Sequence, residues 1–253
     1  DGAVGPGRLA EPAAIVAAVE AALGAPAGAR DMEGLSVLIS AGGTREPIDA
    51  VRYVGNRSSG RMGWALAAAA RDRGAAVTVV QANVDLPREA GIRYVDAPTA
   101  AAMRDACRAE FPACDVLIMC AAVADYRPVA AADGKLDKSR ADAITVEMER
   151  TTDILAELSA LRGDQVLVGF AAEHGPEGLD RARAKRVRKA VDIVVHNDAA
   201  IPGAAFEGPE NVITIIGPGE DEASLPRMTK RECAERILDA ARPLVGAGPV
   251  GAS

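Results

Sequence analysis

The sequence is poor in the residues that most often announce chemistry. Its 253 residues include only two histidines, His174 and His196, and four cysteines, Cys107, Cys114, Cys120 and Cys233, with no C-x-x-C pair among them. That spacing argues against a zinc site and against a disulfide framework, and it predicts four reduced packing thiols. Aromatic residues make up 3% and the net charge is -7, so a nucleic-acid platform of basic patches and stacking rings is not expected. No apolar run approaches the roughly 18 residues a membrane span needs, and no charged leader precedes a small-residue cleavage site. The expectation is a cytoplasmic protein with no membrane partner. Lysine is scarce as well: of 29 basic residues, only Lys135, Lys138, Lys185, Lys189 and Lys230 are lysines. Four of them cluster in two short segments, where a compact, mobile charge serves differently from the planar fork of arginine.

What is present is a hydrophobic share of 49%, enough for one sizeable core. Beginning at Asp1, the sequence reads as a fragment. Residues 1–33 read as an amphipathic helix at Glu11–Leu23 followed by a Gly/Pro/Ala linker, and residues 34–253 as the main domain. Short apolar runs then alternate with helical patterns. Strands are expected at Ser36–Ser40, Val77–Gln81, Ile92–Val95, Val116–Cys120, Val166–Phe170 and Asp192–His196. Helices are expected at Gly60–Arg73, Thr99–Glu110, Asp153–Leu161, Gly178–Ala190 and Thr229–Ala241. This alternation predicts an α/β fold: a Rossmann-like, doubly wound, mostly parallel sheet with helices on both faces. Tyr126–Met148, with a strand at Ile144–Met148, reads as a flap, and Asn211–Ile216 as a peripheral β-hairpin.

Ligands of such sheets bind beyond the carboxyl ends of the strands, and the informative motifs fall there. The first strand leads into Gly42-Gly43-Thr44-Arg45-Glu46-Pro47. A loop with Arg52 follows, and then Asn56-Arg57-Ser58-Ser59-Gly60-Arg61-Met62-Gly63 opens a helix. Free N–H groups at a helix N-terminus suit phosphate. The competing readings are an ordinary turn at Gly42-Gly43, a Ser-Ser N-cap, and close helix packing at Gly60 and Gly63. The loop is too long for a dinucleotide fingerprint, no Tyr-x-x-x-Lys occurs, and no G-x-x-x-x-G-K-[ST] is present, so a nicotinamide-dependent reductase and a P-loop enzyme are weak readings. A non-catalytic nucleotide-binding module remains open. The fourth strand runs into Ala121-Ala122-Val123-Ala124-Asp125, where Asp125 can hold a metal, a ribose hydroxyl or Arg127. Further on, Asp133-Gly134-Lys135-Leu136-Asp137-Lys138 joins a hinge to two ammonium groups, a composition suited to closing over a triphosphate or to a solvated loop. Phe170 ends the fifth strand, and Lys185 and Lys189 project from one face of the next helix.

Taken in order, these runs, with Thr152-Asp153-Ile154-Leu155, Gly169–Glu173 and Lys185–Asn197, resemble the phosphopantothenate-cysteine ligase family over about residues 35–242. The resemblance implies that the carboxylate of 4'-phosphopantothenate attacks the α-phosphate of CTP with Mg²⁺, giving an acyl-cytidylate that the amine of L-cysteine then opens. It implies Asn56 for the second step, Arg52 as an essential arginine and Lys135 for acyl-cytidylate formation. For CTP it implies Met119, Cys120, Ala121, Asp125, Lys135, Thr152, Asp153, Ile154, Leu155, Phe170, Lys185 and Lys189. Gly43, Ser58, Ser59, Gly60, Ala122 and Lys138 are implied for substrate and phosphate, and Asp125 for the metal that accompanies CTP. Two departures stand out: the family's Lys-x-Lys-Lys run reads Lys135-Leu136-Asp137-Lys138, and Thr152 replaces its usual proline. The resemblance also implies a homodimer within a bifunctional assembly whose preceding half binds FMN, with Gly7–Pro12 resembling the end of that half. No flavin is expected in this fragment.

Overall fold

Strand-forming runs rich in Val and Ile, bounded by glycine, alanine and proline, build one dominant sheet. The computed structural model describes residues 30–137, 143–173, 175, 177–198, 208–219 and 221–247. The helix expected at Glu11–Leu23, its linker and Lys138 lie outside the described residues. In chain order the first elements are β1 (Ser36–Gly42), β2 (Arg45–Pro47), β3 (Tyr53–Gly55), α1 (Arg61–Asp72), β4 (Ala76–Ala82), β5 (Ile92–Asp96) and α2 (Ala100–Glu110). There follow β6 (Val116–Met119), β7 (Tyr126–Pro128), β8 (Met148–Arg150), α3 (Ile154–Ala160), β9 (Val166–Glu173), α4 (Gly178–Arg188) and β10 (Ile193–Asp198). The chain closes with β11 (Glu210–Asn211), β12 (Ile213–Ile216), β13 (Glu222–Ser224), β14 (Met228–Thr229) and α5 (Lys230–Ala241).

Eight strands run in the order β13-β12-β10-β9-β6-β1-β4-β5. The six from β10 to β5 are parallel, and Ile39 of β1 sits level with Val79 on one side and Ile118 on the other. Central strands buried on both faces need continuous apolar sequence rather than alternation, and β1 shows why. Val37, Ile39 and Ala41 pack with Trp64 and Leu66 of α1 and with Ile237 and Leu238 of α5. Leu38 packs on the opposite face with Met103 and Cys107 of α2, Leu158 of α3 and Ala182 of α4. Helices therefore cover both faces, as the alternating pattern predicts. No helix among the described residues is long and apolar enough to cross a membrane, and all four cysteines are free.

Three local expectations shift. The segment expected as a peripheral hairpin splits. Its Ile213–Ile216 part, β12, joins the main sheet antiparallel to β10, while β11 pairs separately with β14. The strand expected at Ile144–Met148 falls at Met148–Arg150, where cross-strand partners Tyr126–Pro128 are available, and Ile144 is exposed. The N-cap of α1 is Gly60 rather than a serine. Its φ of 75° is left-handed, and no side chain caps the first turn; the missing Cβ also makes room for Val84, whose Cγ2 would lie 2.5 Å from one.

Candidate active site

The carboxyl ends of β6 and β9, the β8–α3 junction and α4 enclose a cleft of about 540 Å³. Each wall has a local cause. Beyond β6 the small residues Ala121–Ala124 let the backbone run close to β1. The Ala121 amide donates to Ser40 Oγ at 3.1 Å and the Ala124 amide to Thr44 Oγ1 at 2.9 Å. Thr151 ties the opposite wall to this strand end, its hydroxyl donating to the Ala124 carbonyl at 2.6 Å and its amide to the Asp125 carbonyl at 2.9 Å. Asp153 caps α3 through the Ala156 amide at 3.1 Å and forms an ion pair with Lys189.

Two lysines line the cleft from α4 and its C-cap. Lys185 donates to the Phe170 carbonyl at 2.6 Å. Burial pulls its ammonium below the ordinary lysine range, against Glu173 and Asp125, which favour the charged form. Burial lowers Lys189 likewise, opposed by Asp125. A nearby polyanion favours the charged form of such desolvated ammonium groups. Two arginines of α4 are held in ion pairs, Arg181 with Glu173 at 2.7 Å and Arg183 with Glu222 at 2.9 Å and Asp180 at 2.6 Å, while Arg188 also lines the cleft. Asp125 is exposed on the lining and forms no ion pair among the described residues. Arg127, the partner considered for it, pairs instead with Glu149 at 2.7 Å across the β7–β8 ladder.

The residues singled out from sequence fall into three groups. Met119, Ala121, Asp125, Thr152, Asp153, Ile154, Leu155, Phe170, Lys185 and Lys189 line the cleft together. Cys120 does not; it packs toward the core beneath α1 and α5, and burial pushes its thiol up to about 12. A second group lies behind the lining. Gly43 bridges to Ala122, and Asn56 donates its side-chain amide to the carbonyl of Val123, itself a lining residue, at 2.9 Å. A Cβ on Gly43 would stand 2.7 Å from the Asn56 carbonyl oxygen and 3.4 Å from Ser58 Cβ, so the glycine lets these loops meet. Ser58, Ser59 and Gly60 lead from there into α1. In the third group, Arg52 and the Lys135 segment meet through Asp49. Lys135 is exposed, and its ammonium has no partner among the described residues.

Sequence reasoning passed over Arg150, Thr151 and Arg188, which also line the cleft. The first two immediately precede the Thr152-Asp153 motif, and Arg188 lies three residues past Lys185, so motif adjacency and helical spacing were the available signals. Among the described residues no three or more His, Cys, Asp or Glu side chains cluster as a metal site.

The family model described as the DNA/pantothenate metabolism flavoprotein C-terminal domain matches residues 32–244. The coenzyme A biosynthesis bifunctional protein CoaBC of Vibrio cholerae is 42% identical over 239 residues, covering 94% of this chain and 58% of that protein. Its Bacillus subtilis counterpart is 40% identical over 239 residues, again covering 94% and 58%. The chain thus spans less than two thirds of the curated relatives it matches. A crystal structure of the C-terminal domain of a CoaBC protein superposes with a TM-score of 0.74 at 33% identity, covering 86% of this chain and 99% of that one. With the sheet, the cleft and a match across nearly all of the described residues in agreement, this chain belongs to the family of DNA/pantothenate metabolism flavoprotein C-terminal domains.

Proposed function

We propose that the domain joins L-cysteine to 4'-phosphopantothenate at the expense of CTP, through 4'-phosphopantothenoyl-CMP. The observation that carries this reading is the pairing of two partly desolvated lysines, Lys185 and Lys189, with an uncommitted carboxylate, Asp125, in one cleft at the carboxyl ends of parallel strands. Such a site accepts a triphosphate: the ammonium groups meet phosphate oxygens, and the small residues Ala121–Ala124 admit the nucleotide close to the backbone. A carboxylate oxygen of the acid then bonds to the α-phosphorus as pyrophosphate leaves. Next the cysteine nitrogen bonds to the acyl carbon, CMP departs with the electrons of the acyl C–O bond, and the nitrogen loses its proton. Lys135 meets the charge that develops in the first step and Asn56 serves the second. No covalent link to the enzyme is needed.

Asp125 would hold the Mg²⁺ that travels with CTP. A single carboxylate fits that role, since Mg²⁺ is commonly held by one or two carboxylates plus substrate phosphates. When bound, such an ion would offset the charge of the phosphate oxygens. The same reading takes residues 1–33 as the end of a preceding FMN-binding half with its linker, and the working form as a homodimer within that longer chain.

Incubation with CTP, Mg²⁺, 4'-phosphopantothenate and L-cysteine, followed by mass spectrometry, tests the proposal. Phosphopantothenoylcysteine, CMP and pyrophosphate are expected. A folded protein that binds CTP yet yields no amide product would overturn it.

A further inference from the structure

One buried carboxylate outside the cleft is organised beyond anything the fold requires. Asp49 lies in the β2–β3 loop with its side chain 0% exposed. One oxygen, Oδ1, closes the loop on itself, accepting from the amides of Val51 at 2.8 Å and Arg52 at 2.7 Å. The other, Oδ2, accepts from Arg52 Nε at 2.8 Å and from the amide of Leu136 at 3.1 Å, 87 residues away. Arg52 in turn donates from Nη2 to the carbonyl of the same Leu136 at 2.9 Å. Both polar groups of one residue in the flap are therefore held, the N–H by Asp49 and the C=O by Arg52. A third bond, from the Ala132 amide to the Ile48 carbonyl at 3.0 Å, fixes the other side of the Asp133-Gly134 turn. Lys135 lies between these tethers, exposed and with no partner for its ammonium among the described residues.

We propose that Asp49 is a positioning residue for acyl-cytidylate formation, holding Arg52 and the Lys135 segment as one unit. The proposal rests on the ligase reading above. A lysine on an untethered glycine-containing loop would sample many positions, and an ammonium displaced by about 1 Å from a developing charge loses much of its effect. The clamp removes that freedom before substrate arrives. It also gives Arg52 a role that needs no contact with substrate, because its guanidinium orients the peptide next to Lys135.

The division of labour between the two oxygens makes a specific variant available. Asp49→Asn can keep Oδ1 on the Val51 and Arg52 amides, preserving the loop turn, but then presents an NH₂ group to the Leu136 N–H and to Arg52 Nε, donor against donor. Three readouts follow. Hydrogen exchange at the Leu136 amide should accelerate in Asp49→Asn, with exchange in β1 and β6 unchanged. Pyrophosphate release from CTP and phosphopantothenate should fall by about 10- to 100-fold, while the KM for CTP stays within about twofold, the ground-state cleft contacts being untouched. The double variant Asp49→Asn/Lys135→Gln should be no slower than Lys135→Gln alone, because the clamp acts through that lysine. Should Asp49→Asn fail to fold, Arg52→Lys takes its place in the same cycle, since one ammonium cannot reproduce the fork that spans carboxylate and carbonyl.

Unchanged Leu136 exchange, a wild-type rate, or losses that multiply in the double variant would each overturn the positioning role. Failure of the ligase reading looks different. Wild-type protein would then release no pyrophosphate, and Lys135→Gln would change nothing, while the exchange arm would still report whether the clamp exists.

Discussion

Asn56 shows how much the chemistry of a residue depends on what its polar atoms already do. Its Nδ2 donates to the Val123 carbonyl, so the side chain both anchors the cleft wall and stands beside it. Replacing it by Asp sets an acceptor against that carbonyl, whereas Ala removes the bond without repulsion. If Asn56 stabilises charge in the aminolysis step, Asn56→Asp should still form acyl-cytidylate but pass it to cysteine about 10²–10³ more slowly, the cost of losing one oxyanion donor. The intermediate should then accumulate in quenched samples read by mass spectrometry. Equal slowing of both half-reactions in Asp and Ala variants would reduce Asn56 to a wall anchor. At this scale the cleft was legible where chemistry and backbone motif coincide: Asp153 is both a helix cap and a partner for Lys189. Asp49 was not legible as a clamp, because its partner Leu136 is an apolar residue whose backbone, not its side chain, makes the contact.

Among the elements, α1 is held against β1 by an absence. A Cβ at Gly63 would lie 2.5 Å from the Cβ of Ala41, so helix and strand approach more closely than any other residue permits. Gly63→Ala sets two effects in opposition. Helix propensity favours alanine by about 0.8–1.0 kcal/mol, while forcing α1 off the sheet costs about 1–3 kcal/mol as overpacking. The clash should win because Ala41 is buried in the middle of the core and α1 is also packed beneath α5. Urea denaturation of Gly63→Ala should show a lower midpoint; a higher one would mean the helix moves without cost. The glycine pair in Gly60-x-x-Gly63 was visible in the sequence, and both packing contacts are now explained. The central strands and all five described helices were also legible, since buried parallel strands and amphipathic helices leave strong periodicities. The pairing of β7 with β8 was not, because those strands are three residues each and are defined by their partner rather than by a pattern. β12 likewise could be read as a strand but not as a member of the main sheet between β10 and β13.

Over the whole molecule, the distribution of charge and of buried thiols sets a window of stability. On the acid side, hydrogen bonds from Arg73 to Asp31 and from Arg104 to Glu157 hold those carboxyls below the usual range. A depressed native pKa contributes stability that is present above the unfolded value, near 4, and is lost as pH falls through the native one. The alkaline side follows from the scarcity of other cysteine chemistry. Burial pushes the thiols of Cys107 and Cys114 up to about 12, like that of Cys120, and Cys233 up to about 11. Unfolded, the same groups ionise near about 8.5. Here the sign reverses: the native state keeps protons that the unfolded chain releases, so this stability is complete below about pH 8.5 and declines as pH rises toward the native values. Each thiol adds at most about 1.4 kcal/mol per pH unit to that decline. Lys185 and Lys189, with lowered native values, act in the opposite sense over the same range, so the total slope alone is not diagnostic. The slope difference between wild type and Cys107→Ala isolates one thiol. Thermal unfolding followed from pH 7 to 10.5 should show a shallower alkaline decline in Cys107→Ala, whatever its midpoint at neutral pH. Parallel declines would mean that the Cys107 thiolate is tolerated in the native core, against the burial that places it between β1 and α2.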